Sequence, residues 1–285
     1  MKKYLLWFFS FPLLGLILSC VPPDPAMVYG WNTNTPAGIT GPRILHKIDS
    51  ANVTRKEYVS SPSGVLETVK YYDTDDVIKL FYNSNNKVSK MTLTDPDMSM
   101  DLNFSYNSAN KITNAVMTTK MNNSNQTVME ETHYWLVYNN VGQLIKADRK
   151  SKLFPSITGP FTHYGVINLT WAGDNIVKVM QNNSGIIHPD GSMEPLDPMA
   201  AMVYKFEDYD NKINPYTTFP AEFNIGMGIL APLTFFQCSY NNHQKLQMEF
   251  LNMPVTTYGN YIYDTQNYPV SDVSGITKYI YKPVQ

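Results

Sequence analysis

The sequence predicts an all-β fold: an antiparallel hairpin meander curled into a barrel-like or half-open sheet, with one or two short helices at most. Two observations carry this. First, Met98, Met100, Leu102, Phe104 and Tyr106 share one parity, and Ser99, Asp101, Asn103 and Ser105 share the other. That is the alternation of a strand with one buried face. It ends in Tyr106-Asn107-Ser108-Ala109-Asn110-Lys111-Ile112, a turn of Asn and small residues that leads into a returning strand. Second, the turn recurs. Tyr82-Asn83-Ser84-Asn85-Asn86-Lys87-Val88, Tyr138-Asn139-Asn140-Val141-Gly142-Gln143-Leu144, Tyr240-Asn241-Asn242-His243-Gln244-Lys245-Leu246 and Tyr263-Asp264-Thr265-Gln266-Asn267-Tyr268-Pro269 follow one frame. Shortened copies begin at Trp171 and Tyr209.

Each position of the frame has a physical task. The aromatic closes the outgoing strand and supplies burial. Asn or Asp bonds its own turn through the side chain and tolerates left-handed backbone. Gly142 removes the steric penalty at a positive φ. The aliphatic residue starts the return strand. The anchors Tyr82, Tyr106, Tyr138, Trp171, Tyr209, Tyr240 and Tyr263 lie 24, 32, 33, 38, 31 and 23 residues apart. Such periods belong to arrays of hairpins, with insertions between units rather than inside the turns.

Taken in order, residues 1–19 read as a lipoprotein signal peptide. Lys2 and Lys3 precede an apolar run, and Ile17-Leu18-Ser19-Cys20 closes it. Cleavage before Cys20 leaves a thiol for lipidation, and the run is short for a membrane span of about 20 residues. Residues 20–43 hold Pro22, Pro23, Pro25, Pro36 and Pro42, the composition of a tether. A single β-repeat domain is expected over 44–282. Its strands begin with a weakly alternating 44–49. Strands at 66–72 and 77–82 follow, joined by the acidic turn Asp73-Thr74-Asp75-Asp76. Departures from the hairpin pattern fall at 149–164, 181–199 and 214–234, the last with a short helix around 221–225. Loops of this length in a compact domain are usually functional.

Removal of Lys2 and Lys3 leaves 20 positive residues against 24 acids, a net charge of −4. That disfavours nucleic acid and anionic lipid as partners. Of the two cysteines, lipidation of Cys20 leaves Cys238 alone, so no intramolecular disulfide is expected. Cys238 is expected to pack as a small hydrophobe in a strand at 234–240. His46, His133, His163, His188 and His243 show no metal-ligand spacing, and no nucleophile elbow, P-loop or dinucleotide fingerprint occurs. No catalytic residue, metal or cofactor is therefore assigned. Tyr134, Trp135, Trp171 and Tyr261 are the aromatics that would stack on a ligand if they lie at the surface, with core packing as the alternative.

These features resemble the uncharacterised envelope lipoproteins of Bacteroidota with YD-like β-hairpin repeats, a domain of unknown function described as having a porin-like fold. The resemblance rests on the Cys-terminated signal, the Pro-rich tether, Tyr209-Asp210-Asn211-Lys212-Ile213-Asn214-Pro215-Tyr216, Tyr261-Ile262-Tyr263-Asp264 and the terminal Tyr279-Ile280-Tyr281. It implies a long meander on the cell envelope, in the outer membrane by its lipid, and it transfers no catalytic residue. Asp49-Ser50-Ala51 also resembles the short O-glycosylation site of these bacteria, with Ser50 as acceptor. The expected function is a non-enzymatic binding or scaffolding role. Its partners would be the membrane through Cys20 and a glycan or envelope protein, with no nucleic acid. The alternative is a carbohydrate-active hydrolase with its site among loops 181–199 and 214–234. A third reading is a membrane barrel, in which the apolar parity of 98–106 would face lipid.

Overall fold

The structure is a computed structural model that describes residues 43–251 and 253–284. The expected signal peptide, Cys20 and all of the tether except Arg43 lie outside the described residues. Seventeen strands run along the described chain: β1 (Arg43–Ser50), β2 (Val53–Ser60), β3 (Leu66–Tyr71), β4 (Val77–Tyr82), β5 (Val88–Thr94), β6 (Met98–Tyr106), β7 (Ile112–Met121), β8 (Val128–Tyr138) and β9 (Leu144–Leu153). The second half holds β10 (His163–Ala172), β11 (Asn175–Ile186), β12 (Met202–Glu207), β13 (Lys245–Phe250), β14 (Met253–Tyr258), β15 (Tyr261–Tyr263), β16 (Pro269–Asp272) and β17 (Thr277–Pro283). One α-helix, α1 (Ala221–Leu230), and three 3-10 helices complete the described elements. The fold is the expected all-β antiparallel meander.

The hairpin turns form as their chemistry dictates. Asn83 Oδ1 accepts the backbone N–H groups of Asn85 and Lys87, and Asn107 Oδ1 those of Ala109 and Lys111. Asn139 and Asp264 repeat the arrangement. The fifth position of each frame is left-handed: Asn86 at φ 57°, Asn110 at 57°, Gly142 at 91° and Asn267 at 67°. The leading aromatic does more than bury area. Tyr82 and Tyr106 donate from their hydroxyls to the carbonyls of Leu66 and Val88, each the first residue of an earlier return strand. Trp171 donates its indole N–H to Leu144, Tyr209 its hydroxyl to Ile176, and Tyr281 its hydroxyl to Pro269. The turns led by Tyr82, Tyr106 and Trp171 are thereby latched to the start of an earlier return strand.

Consecutive strands pair antiparallel from β1 to β14, β15 pairs with β16, β16 with β17, and β17 returns to β1. No ladder joins β14 to β15, which follow one another across Gly259-Asn260. They are two lengths of one bent strand: β14 pairs back onto β13, and β15 forward onto β16. Every residue of β14 is exposed, so the sheet is half-open along its outer edge. Pro254 removes one N–H from that strand, which blunts pairing with another chain.

The side facing inward follows from the register. Met91 and Phe104 lie against Gly226 of α1. Met91 is opposite Leu102, Leu102 opposite Met117, Met117 opposite Thr132 and Thr132 opposite Ser151, so this row lines the interior. Asp101, Thr118, Glu131 and Lys152 form the matching outer row. Ion pairs cross the outer wall between Lys90 and Asp101 at 2.8 Å, Lys152 and Glu131 at 3.0 Å, and Lys205 and Glu249 at 2.5 Å. The apolar parity of 98–106 therefore points inward. A charge facing hydrocarbon at mid-bilayer costs about 2–4 kcal/mol. The membrane-barrel reading placed the apolar parity of 98–106 against lipid; that parity instead lines the interior, and ion pairs lie on the outer wall.

A barrel of this many strands leaves a wide lumen, and the chain fills one end of it with its own insertion. Residues 208–244 leave β12, pass through 3-10 helix Pro215–Thr218, α1 and 3-10 helix Pro232–Cys238, and return into β13. Pro215 and Pro232 start their helices at positions where a missing N–H costs nothing. α1 is apolar on nearly all sides (Phe223, Ile225, Met227, Ile229, Leu230), the composition of a buried helix. Glu222 pairs with Lys87 of the β4–β5 turn at 3.0 Å, and Ile176 N donates to Ser239 Oγ at 3.0 Å. Phe219 stacks on Tyr58 with centroids 4.6 Å apart. The plug thus sits at the end of the barrel that carries the Tyr-Asn turns.

Three sequence expectations change here. The motif copies at Tyr209 and Tyr240 are not hairpin turns. They stand at the neck of the plug, where Asp210 N bonds Asn242 O and Asn214 N bonds Tyr240 O, both at 3.0 Å. Cys238 ends a 3-10 helix rather than lying in a strand, because a short all-apolar run fits either conformation. The helix expected around 221–225 runs on to Leu230.

Candidate functional site

A cavity of about 400 Å³ opens between the plug and the wall strands β8 to β11 at the turn end. The wall contributes Tyr138, Leu144, Leu169, Trp171 and Ile176; the plug contributes Phe219, Ile225, Phe235 and Cys238. These positions are occupied by apolar residues because both the inner face of the barrel and the underside of the plug must be dry to fold. The cavity exists because α1 packs tightly against β5 and β6, through Gly226 on Met91 and Phe104, and stands off from the opposite wall.

Gln143, Asp174, Thr217, Asn224 and Gln237 interrupt the apolar lining, and two of them are nearly fully buried. Asn224 and Gln237 are 4% and 5% exposed, and both line the cavity. Asn224 Nδ2 donates to the carbonyls of Tyr216 at 3.0 Å and Gln237 at 3.2 Å. Both partners are acceptors, so the amide orientation is fixed and Oδ1 is its acceptor end. Asn224 Oδ1 and Gln237 Oε1 have no hydrogen-bond partner. A buried unsatisfied acceptor costs roughly 1–3 kcal/mol. Elsewhere in the plug such amides are spent: Asn214 Nδ2 bonds Phe236 O and Ser239 O, and Asn242 Nδ2 bonds Ile213 O.

The reactive groups of the lining are few and already engaged or protonated. Burial pushes the Cys238 thiol up to about 12, so it is a protonated thiol at neutral pH and not a nucleophile. Thr217 Oγ1 is committed to Asn214 O at 2.7 Å. No histidine, lysine or arginine lines the cavity, and its one carboxylate is Asp174. The loops of the hydrolase alternative do not meet. Chain alternation puts the β11–β12 connection at the rim end of the barrel, whereas 214–234 is folded into the opposite end. Among the described residues no three His, Cys, Asp or Glu side chains converge to hold a metal ion.

The four aromatics singled out from the sequence lie on separate surfaces. Trp171 lines the cavity, with its N–H latched to Leu144 O at 2.7 Å. Tyr134 faces inward at 4% exposure, opposite Ala115 and Arg149, so it is core and cannot stack on a ligand from solvent. Trp135 is on the outer wall, edge-on to Phe161 at 6.4 Å. Tyr261 belongs to a tyrosine cluster with Tyr263 and Tyr279 at 6.2 and 6.1 Å. Ser50 closes β1 opposite Val53 and Thr277. Asn224 and Gln237 were missed by sequence reasoning. The one signal for them is a lone amide inside an apolar run, Phe223-Asn224-Ile225 and Phe236-Gln237-Cys238.

No protein-family model matches the chain, and no curated protein matches it in sequence. Among solved structures it is similar to a porin-like protein from Bacteroides vulgatus, at 10% identity and a TM-score of 0.42, over 84% of this chain and 99% of that one. It is also similar to a porin-like protein from Bacteroides uniformis, at 11% identity and a TM-score of 0.44, over 83% and 94%. Likenesses this distant carry no argument about activity.

Proposed function

We propose that the protein is a lipid-anchored cell-envelope protein with a non-enzymatic binding role, tethered to the outer membrane through acyl groups on Cys20, and that the cavity under the plug is where it binds. The observation that carries the binding reading is the cavity itself, about 400 Å³ between plug and wall, lined mainly by apolar and aromatic side chains and without a reactive nucleophile. The anchoring reading is supported by the Ile17-Leu18-Ser19-Cys20 sequence. The ion pairs on the outer wall support it too, because a charged exterior disfavours insertion in lipid and leaves attachment to the N-terminal anchor. The Ser50 tripeptide is consistent with export to the same compartment.

Membrane fractionation with labelled palmitate tests the anchor. The wild-type chain is expected to carry label and sediment with membranes. Cys20→Ala is expected to lose label, and a chain starting at residue 21 to stay soluble without detergent. Aggregation of that chain until detergent is added would refute the polar-exterior argument, and label on Cys20→Ala would refute the lipidation site.

A further inference from the structure

We infer that the outer wall carries a second binding site, independent of the cavity under the plug, which takes one ring of a neutral sugar. The register of β8, β9 and β10 assembles it. Trp135 is opposite Asp148, and Asp148 opposite Val166. Two residues nearer the rim, His133 is opposite Lys150, and Lys150 opposite Tyr164. These six side chains share the outer face, with direct neighbours about 5 Å apart. An open pocket of about 400 Å³ lies over them, lined by Trp135, Asp148, Lys150, Tyr164 and Met193. Met193 comes from the connection after β11, which folds back onto the wall. Tyr164 donates its hydroxyl to Glu194 O, Asn182 Nδ2 donates to Asp197 O at 2.7 Å, and Ile187 bridges Met193. Gly185 leaves room for the Tyr164 ring, which a Cβ at that position would overlap. The pocket is therefore formed before a ligand arrives, which lowers the cost of binding.

The side chains define the ligand class. Trp135 is 38% exposed on a wall otherwise laced with ion pairs. Its ring is held by Phe161, edge-on at 6.4 Å, and by His133 at 6.1 Å. A fixed, flat indole offers an apolar surface to the C–H face of a sugar ring. The hydroxyls at the edge of such a ring both donate and accept, and the pocket supplies both complements: Asp148 accepts and Lys150 donates. Asp148 also pairs with Lys146 at 2.9 Å, and Lys152 with Glu131 at 3.0 Å, whereas Lys150 has no carboxylate partner among the described residues. Arg149 turns its side chain to the lumen, where it bonds Glu130 at 3.1 Å. One acid and one base therefore face the ligand. An anion would meet Asp148 and a cation Lys150, so a neutral polyol ring fits best. The pocket volume is at the small end for ligand sites, room for a single ring with its neighbours running along the wall.

Ligand-observed NMR titration of the full chain in neutral-detergent micelles tests this. The probes are maltotriose, cellotriose and mannotriose, three neutral sugars of different ring stereochemistry or linkage, with trigalacturonate as the anionic comparison. At least one neutral sugar is expected to bind, and more tightly than trigalacturonate. Trp135→Ala is expected to weaken it about five- to tenfold, with Trp135→Phe retaining most of the affinity. Asp148→Asn and Lys150→Gln are each expected to weaken it several-fold; both positions are at the surface, so the variants should fold. Ala221→Phe, which fills the cavity from the start of α1, is expected to leave sugar binding unchanged. No binding of any neutral sugar up to about 10 mM, or binding that survives Trp135→Ala intact, would overturn the site. Loss of binding in Ala221→Phe alone would place the sugar under the plug and overturn it equally. Tighter binding of trigalacturonate than of all three neutral sugars would overturn the neutral class.

Discussion

Gly228→Ala sets two physical effects against each other with opposite signs. On helix propensity alone the substitution stabilises α1 by about 1 kcal/mol. But a Cβ built on Gly228 would lie 2.3, 2.4 and 2.6 Å from three ring carbons of Phe235, about 1 Å or more inside ordinary van der Waals contact. Phe235 is fully buried in the 3-10 helix that follows, and its ring has no open side to retreat into except the cavity. Overpacking of this kind costs about 1–3 kcal/mol. The net expectation is destabilisation by up to about 2 kcal/mol, the overpacking cost less the propensity gain. It should appear in urea melts as a lower midpoint with an unchanged slope. The partner variant Phe235→Leu shortens the side chain at the clash and is destabilising by itself. In the double variant the two effects should not add: the coupling should be at least about 0.5 kcal/mol in the relieving direction. The comparison substitution is Gly226→Ala. Its new Cβ meets the end of a flexible side chain, Met91 Sδ at 2.5 Å, before the Phe104 ring at 3.0 Å, so its cost should be smaller. If Gly228→Ala raises stability by the full propensity gain, or if the double variant is additive, the close helix–helix contact inside the plug does not exist and the reasoning fails.

Three further outcomes are expected. Burial of His243 against Phe206 and Phe236, with ring centroids at 5.0 Å from each, lowers its pKa to about 4, opposed by Asp210. The unfolded chain takes up this proton near pH 6.5 and the folded one does not, so His243 removes stability as pH falls from about 6.5 toward 4, by up to roughly 3 kcal/mol; His243→Phe keeps the ring packing and should flatten stability over that interval in pH-dependent urea melts, whereas an unaltered slope would place the proton uptake on other groups. Tyr106→Phe deletes the latch from the hydroxyl to Val88 O and should cost about 1 kcal/mol, with faster hydrogen exchange confined to the β4–β5 and β6–β7 turns; uniform exchange across the barrel would deny the latch its local role. Arg149→Met leaves Glu130, bonded by Thr132 and Arg149 on the inner wall, without its counter-charge and should lower stability by about 2–3 kcal/mol, more than Glu130→Gln, which keeps the size and removes the charge. The reverse order in thermal melts would mean that this end of the lumen is as wet as the exterior.

Legibility differed by range of interaction. The turns at Asn83, Asn107, Asn139 and Asp264 could be read to the residue, because an Asx turn and a left-handed fifth position are settled within a few residues. Tyr82, Tyr106 and Tyr138 end their strands as the frame requires. The hydroxyl latches of Tyr82 and Tyr106 were not legible, since the accepting carbonyls lie 16 and 18 residues away. The candidate site was hardly legible at all: of the four aromatics, only Trp171 reached the cavity, and the two buried amides beside it have no pattern in the chain.

By itself the sequence determined that this chain makes alternating strands, that they reverse at Asn83, Asn107, Asn139 and Asp264, and that 214–234 departs from the pattern. It left open which side of each strand is dry, because alternation has the same period whether the apolar face meets lipid outside or a plug inside. Only the tertiary structure decided that. The insertion at 208–244 folds back into the barrel, its apolar helix meets the inward parity of the wall, and the ion-paired rows such as Lys90–Asp101 and Lys152–Glu131 are left outside. The cavity beneath it exists because α1 leans on one wall through a glycine and leaves the other uncovered, a fact of packing between segments more than 100 residues apart.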